Sequence, residues 1–504
     1  MTMSKTHDLL AFDLGAESGR ALLGRFDGDR LALADIHRFP NIPVRLPDGL
    51  HWDVLHLWAE IKQGVALAYN QAGNRLGSIG LDTWGVDFGL LDRTGALIGN
   101  PYHYRDSRTD GMMERAFGRV ARSEIFAQTG IQFMPINTLY QLVAMAEQRS
   151  PLFEIAQTFL TIPDLFNYWL TGRKVCEFSN ATTTQCYNPR TRTWASNLLA
   201  ALEIPTHIFP EIIPPGTVLG DLLPGVAAEL CGGARVPIIA PACHDTGSAV
   251  AAVPAAGEGF AWISSGTWSI VGAEVPEAVI NEQSLDFNFT NEGGVNNTFR
   301  LSKNVAGLWI VQECRRAWAR QGEEYSYATL TDMAAQAAPF GALIDPDHPI
   351  FLKPSEPGDD MPSRVRAQCQ ATGQPVPDDK AAIIRCVLES LALKYRWVLE
   401  KLETLMGHPL DPIHIVGGGT QNGLLCQLTA DATGHPVVAG PVEATAIGNL
   451  IVQAMALGLV GSLAQGRELI RRSFEVITYE PTTDRAGWDD AYARLVALMA
   501  QAGE

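Results

Sequence analysis

The stretch LLAFDLGAESGRALLGRF, Leu9 to Phe26, decides the fold. An apolar run ends on a lone carboxylate, Asp13. Gly15, Ala16, Glu17, Ser18 and Gly19 turn the chain, and a second apolar run leaves at Ala21. Gly and small polar residues between two apolar runs predict a β-hairpin. Asp and Ser are ordinary turn residues, because their side chains bond nearby amides. The same residue types also suit a phosphate cradle, with the turn amides, Ser18 and Arg20 around the anion and Asp13 handling a metal ion. The turn alone leaves both readings open.

A second copy of this pattern weighs on the choice. AWISSGTWSIVGAEV, from Ala261, again reads apolar strand, Ser/Gly turn, apolar strand. Each copy opens one half of the chain, as duplication of an α/β unit would give, with two phosphate-binding turns facing each other across a cleft. Between the copies, strands and amphipathic helices alternate, which predicts an α/β fold with a mixed sheet. Residues 36–51, with their Pro and Asn, read as loop. Asp53 is placed to cap a helix with Val54, Leu57, Trp58, Ile61 and Val65 on one face. IGLDTWGVDFGLLDRTG, residues 79–95, reads as a strand to Asp82, a break at Gly85, a second strand through Val86, Phe88 and Leu90, and a turn. A long helix is expected over 381–406, stopped by Gly407. After it comes IHIVGGGTQNGLLCQLTADATG, from Ile413: a buried strand, a three-glycine turn and a helix ending at Gly434. With no side chains at Gly417, Gly418 and Gly419, a flat ligand can lie against backbone near a helix start.

Bulk composition narrows the function. A chain of 504 residues is too long for one core. The net charge of −17 argues against nucleic acid and against an anionic membrane surface. No run of 18 apolar residues occurs and the N-terminus lacks a signal-peptide core, so a cytoplasmic protein acting on small molecules is expected. The eight cysteines form no C-x-x-C. Cys369 and Cys386 are close enough in sequence to pair, but reduced thiols are the default in that compartment. P-loop, Rossmann, G-x-S-x-G and H-E-x-x-H motifs are all absent.

What remains is two hairpin turns, a glycine platform and the polar cluster CHDTGSA at 243–249. Asp245 or Thr246 could simply cap the following helix. Asp245 could equally accept the proton of an attacking hydroxyl. Together these parts suit phosphoryl transfer from ATP: turn amides on the phosphates, a metal ion near Asp13, adenosine at the glycine turn, and Asp245 as base.

At this point the chain resembles the FGGY carbohydrate kinases of the actin-like ATPase superfamily, over nearly its full length. The segments that carry the resemblance include DLGAESGR (13–20), IGLDTWGVDFGLLD (79–92), YRDSRT (104–109), NATTTQ (180–185), HDTGSAV (244–250), SSGTWS (264–269), TNEGG (290–294), LSKNVAGLW (301–309) and HIVGGGTQN (414–422). The resemblance implies an α/β fold of two ribonuclease-H-like domains with the active site in the cleft between them. The expected domains cover 6–248 and 257–460, with a helical tail over 461–504. It also implies ATP-dependent phosphorylation of the 1-hydroxyl of L-rhamnulose, with Mg²⁺ on the phosphates. By motif, Ala16, Glu17, Ser18, Gly19 and Arg20 take the ATP phosphates and Asp13 the Mg²⁺. Gly85, His244, Asp245, Thr246 and Asn304 surround the sugar, with Asp245 the proton acceptor. Thr267 and Gln312 lie on the nucleotide side, with Gly418 and Gly419 at the adenosine. Glu17 departs from the small or hydroxyl residue common at its position, so its carboxylate must point away or pair with a cation such as Arg20. Rival readings are another ketose (L-fuculose or L-xylulose), glycerol, or a catalytically silent sugar- and ATP-binding regulator. A chaperone-like ATPase would need a peptide-binding segment for which the chain has no room. The expected partners are ATP and the sugar, with a monomer or a small homo-oligomer as the assembly.

Overall fold

Apolar strands that must bury both faces, alternating with one-faced helices, give layered α/β units. The computed structural model describes residues 6–352, 355, 358–482 and 485–502. Along the chain, the elements used below are β1 (His7–Leu14), β2 (Ser18–Phe26), β3 (Leu31–Pro40), α1 (Val54–Gln71), β4 (Ser78–Thr83), α2 (Ile162–Thr171), α3 (Phe178–Thr183), β5 (Thr217–Asp221), β6 (Pro237–Ala240) and α4 (Asp245–Ala251). They continue as β7 (Ala261–Ser265), β8 (Ser269–Val275), β9 (Thr290–Gly293), β10 (Phe299–Val305), α5 (Trp309–Arg320), α6 (Met361–Ala371), α7 (Lys380–Met406), β11 (Ile413–Val416), α8 (Gly423–Thr433), β12 (Val437–Ala439), α9 (Ala444–Ala456) and β13 (Ile477–Tyr479).

The chain divides into two compact units. The first comprises residues 6–252, Glu274–Leu301 and Ala444–Ser473. The second comprises Val253–Ala273, Ser302–Glu443 and the residues from Phe474 onward. In the first, the strand order is β5-β6-β4-β1-β2-β3. β1 pairs antiparallel with β2 and parallel with β4, while β6 runs parallel to β4 and antiparallel to β5. In the second, β8, β7, β11, β12 and β13 repeat those directions: an antiparallel hairpin, two parallel neighbours and an antiparallel edge. This repeated topology is the structural sign of the duplication expected from the two hairpin sequences.

Asp53 caps α1 by accepting from His56 N at 3.0 Å, and α1 lays Val54, Leu57, Ile61 and Val65 into one core with Leu10, Phe12 and Leu14 of β1. Helix α7 ends at Gly407 with φ +75°. Two expectations fail. Residues 36–51 are not loop: β3 runs to Pro40 against β2, and Val44–Leu46 pairs with Gly49–His51. Pro40 sits at the strand end, where its missing N–H breaks no ladder. Val86 is not in a strand: its φ is +68°, and its N–H donates to Thr183 Oγ1 at 3.0 Å. All eight cysteines are buried free thiols, with Cys369 on α6 and Cys386 on α7. Among the described residues no helix is long and apolar enough to cross a membrane.

Candidate active site

In the β1–β2 hairpin the Gly15 N–H donates to Ser18 O at 2.9 Å. Asn41 clamps the turn from outside. Its amide donates to Gly15 O at 2.9 Å, and its backbone N–H to Glu17 O at 3.0 Å. A Cβ on Gly19 would run into the Phe39 ring, which would have to move to admit it. Glu17 and Ser18 are exposed, and Ala16 is half-buried. Asp13 faces Arg20 across the hairpin. Nε and Nη2 of Arg20 both donate to Asp13 Oδ2, at 2.9 and 2.6 Å. The lone carboxylate at the bend is therefore offset by a protein cation, Arg20.

Asp13 is also in parallel register with Asp82 of β4. Asp82 is fully buried. Burial, and then the nearby charge of Asp13, push its carboxyl well above the usual range; a hydrogen bond from Asn449 opposes this, and the charge of Asp245 adds to it. The Asn449 amide donates to Oδ2 at 2.6 Å, and Oδ1 has no partner. Reading the sequence marked Asp82 only as a strand end. The signal was a carboxylate inside an otherwise apolar strand. Asn449 is held in turn by Gln453 of α9, which donates to Asn449 Oδ1 at 2.7 Å and to Leu10 O at 3.0 Å.

Asp245 is the first residue of α4, and His244 is the N-cap. Neither Asp245 nor Thr246 caps the helix as the simplest reading allowed. Two hydrogen bonds converge instead on Asp245 Oδ1, from Thr246 N at 2.5 Å and from Thr246 Oγ1 at 3.1 Å, and His244 Nε2 stands 3.3 Å away as an ion-pair contact. Burial and the charge of Asp13 raise this carboxyl, while His244 and the Thr246 bonds hold it down. The side chain keeps 30% of its surface exposed, so one oxygen can meet a ligand.

The loop that carries Asp245 is fixed by a buried carboxylate. Glu177 Oε2 accepts from Cys243 N at 2.9 Å and from Ser179 Oγ at 2.5 Å, and Ser179 Oγ accepts from His244 N at 3.1 Å. Burial pushes Glu177 up to about 6. Its neighbour Asp164 on α2 is pushed up to about 8, by burial and then by the charge of Glu177. The folded state thus keeps the Asp164 proton between the unfolded carboxylate value of about 4 and pH 8. Where the folded state binds more protons, stability falls as pH rises. Asp164→Asn is therefore expected to flatten the decline in stability from pH 4 to 8, read as urea midpoints across that range.

Gly85 lies against Thr183 of α3, where an added Cβ would sit 3.0 Å from the threonine hydroxyl and methyl. Asn180 of α3 donates to both Trp84 O and Cys243 O at 3.4 Å. The segment NATTTQ thus ties the Gly85 turn to the His244–Asp245 loop. The first unit brings together Asp13, Arg20, Gly85, His244, Asp245 and Thr246 and adds Asp82, Glu177 and Asn449.

In the second unit the β7–β8 hairpin holds Thr267. Gln312 of α5 donates to Thr267 Oγ1 at 3.3 Å. Gly417 has φ +89° and backs onto Ser265 O, and Gly419 is buried against Ser265. Gly418 is exposed, with nothing within 4 Å of an added Cβ. Gly418 and Gly419 open a short 3-10 turn, Gly418–Gln421, which leads into α8 at Gly423. Thr267, Gln312, Gly418 and Gly419 therefore surround one hairpin end. Asn304 is half-buried on β10.

The N-terminal and C-terminal domains of the FGGY family of carbohydrate kinases match residues 9–252 and 261–457. A curated rhamnulokinase of Bacteroides thetaiotaomicron is 44% identical over 485 residues, covering 96% of this chain and 98% of that protein. One of Oceanobacillus iheyensis is 41% identical, covering 94% and 98%. In fold, the chain is similar to a ligand-bound xylulose kinase of Lactobacillus acidophilus, with TM-score 0.80 at 17% identity and 98% of each chain covered. It is equally similar to a gluconate kinase from the same organism, with TM-score 0.81 at 18% identity and 99% of each chain covered. Its two units, duplicated topology and full-length relatives give one conclusion: the chain belongs to the FGGY family of carbohydrate kinases and is an ATP-dependent sugar kinase.

Proposed function

We propose that this kinase phosphorylates the 1-hydroxyl of L-rhamnulose, giving L-rhamnulose 1-phosphate and ADP. The observation that carries the reaction is Asp245, a partly exposed carboxylate whose Oδ1 accepts two hydrogen bonds from Thr246 and whose Oδ2 has no protein partner among the described residues. The substrate rests on the likeness to curated rhamnulokinases along nearly the whole chain.

Asp245 Oδ2 takes the proton of the sugar hydroxyl as its oxygen bonds to the γ-phosphorus and the bond from that phosphorus to the leaving ADP oxygen breaks. Gly85, His244, Thr246 and Asn304 are assigned to the sugar. Amides of Ala16 to Gly19, together with Arg20, are assigned to the phosphates. Thr267 and Gln312 take the nucleotide, with the bare backbone of Gly418 and Gly419 against the adenosine.

The donor set fits Mg²⁺. Asp13 and Asp82 stand side by side in register, and Asp82 Oδ1 is an orphaned buried oxygen. Among the described residues no three His, Cys, Asp or Glu side chains form a closed cage. Mg²⁺ ordinarily keeps several waters and takes other ligands from phosphates, so a site for it needs only one or two carboxylates. When bound, Mg²⁺ neutralises charge on the transferring phosphoryl group.

The test is ADP release with Mg²⁺-ATP and, in turn, L-rhamnulose, L-fuculose, L-xylulose, D-xylulose and glycerol. L-Rhamnulose is expected to give the highest kcat/KM. A higher value with another acceptor would overturn the substrate, and no stimulation by any would favour a silent binding protein. A pocket that hydrogen-bonds hydroxyls rejects an analogue strongly, because its buried polar groups are left unpaired.

A further inference from the structure

His244 touches Asp245 on one side and a buried ion pair on the other. Arg300 of β10 is fully buried, and its Nε donates to Gly293 O at 2.9 Å. Its Nη2 lies 2.9 Å from His244 Nδ1 and 3.1 Å from Glu292 Oε2. Glu292 Oε2 lies 3.2 Å from the same ring nitrogen but makes no hydrogen bond of acceptable geometry there. Arginine carries only donors and does not lose its charge in proteins. Nδ1 must therefore be the acceptor, which leaves the ring proton on Nε2, facing Asp245 Oδ1. The opposite tautomer would set N–H against N–H at Arg300 and a lone pair against the carboxylate at Asp245.

We infer that Arg300, counterbalanced by Glu292, is a positioning residue that fixes His244 as the Nε2–H tautomer. The Nε2–H then faces Asp245 Oδ1 at 3.3 Å, and Oδ2 is left as the oxygen that takes the hydroxyl proton. The inference rests on the reading of Asp245 as the base. The usual carboxylate–histidine pair places the proton on the nitrogen facing the carboxylate behind it. Here an arginine stands in front of that carboxylate and reverses the assignment. The charged groups around the ring are Glu292 on β9, Arg300 on β10 and Asp245 on α4; Glu177 and Glu274 act on Arg300, and Asp13 acts on Asp245.

The experiment is a long-range ¹H–¹⁵N spectrum of the full-length protein with ¹⁵N-labelled histidine at neutral pH. The His244 signals are identified by their loss in His244→Gln. The expected pattern is an unprotonated Nδ1 and a protonated Nε2. Arg300→Gln is expected to lose that pattern and to lower kcat by roughly 10², and Arg300→Lys, which keeps a charged donor, to recover part of both. An Nδ1–H ring or an imidazolium in the unmutated protein overturns the inference. So does an Arg300→Gln variant that keeps both the tautomer and the rate. If Arg300→Gln does not fold, the spectrum of the unmutated protein and the Lys variant still decide. The spectrum needs no turnover, so failure of the sugar-kinase reading is seen separately, in the rates.

Discussion

Asp245→Asn is expected to lower kcat by roughly 10²–10⁴, the usual worth of a positioned general base, while the melting temperature holds or rises. The amide keeps the shape of the side chain and its contacts with Thr246, but it cannot take a proton. The loss of charge has the opposite effect on stability. Asp245 stands with Asp13 and Asp82: the charge of Asp13 raises the proton affinity of both Asp245 and Asp82, and the charge of Asp245 raises that of Asp82. Removing one relieves like-charge repulsion in a buried place. Steady-state rates and a thermal melt of the same preparation check both halves. A variant that keeps its rate sinks the assignment of the base, and one that loses its rate together with its fold leaves the acid trio without the repulsion argued here.

Gly448→Ala is expected to destabilise the first unit by about 3 kcal/mol or more, the upper end of overpacking. Gly448 on α9 meets α4 backbone to backbone. A Cβ there would overlap Ser248 O and come within 3.2 Å of Ala252 N, and neither atom belongs to a side chain that could swing away. Helix α4 would have to shift, and Asp245 is its first residue. A fall in the urea midpoint with a matching fall in kcat is the expected pair. Unchanged values would mean that the two helices separate freely.

Which parts were legible in sequence follows from how local each part is. The two hairpins, the Asp53 cap, the Gly407 stop and the glycine turn are set by neighbours within a few residues, and the sequence shows them directly. The candidate site residues Asp13, at the β1–β2 hairpin, and Asp245, at the start of α4, lie in short motifs of the same local kind. Asp82 did not, because its meaning depends on Asn449, far along the chain. Arg300 and Glu292 stayed hidden for the same reason: each looks like an ordinary strand residue until β9 and β10 bring both to His244. The strand over 36–40 was missed because Pro40 and Asn41 read as loop, although Asn41 clamps the β1–β2 turn.

The return of α9 to the first unit has a consequence for the order of events during synthesis. Gln453 supplies a hydrogen bond to Leu10 O and accepts one from Ser78 Oγ, and Asn449 supplies one to Asp82. A nascent chain that ends near Ala252 has the whole six-stranded sheet but none of these partners. At about 5–20 residues per second, roughly 10–40 s of translation separate the last sheet strand from the helix that completes it. Over that interval the half-built sheet is exposed to chaperones and proteases, and a fragment that stops at Ala252 stays in that condition permanently.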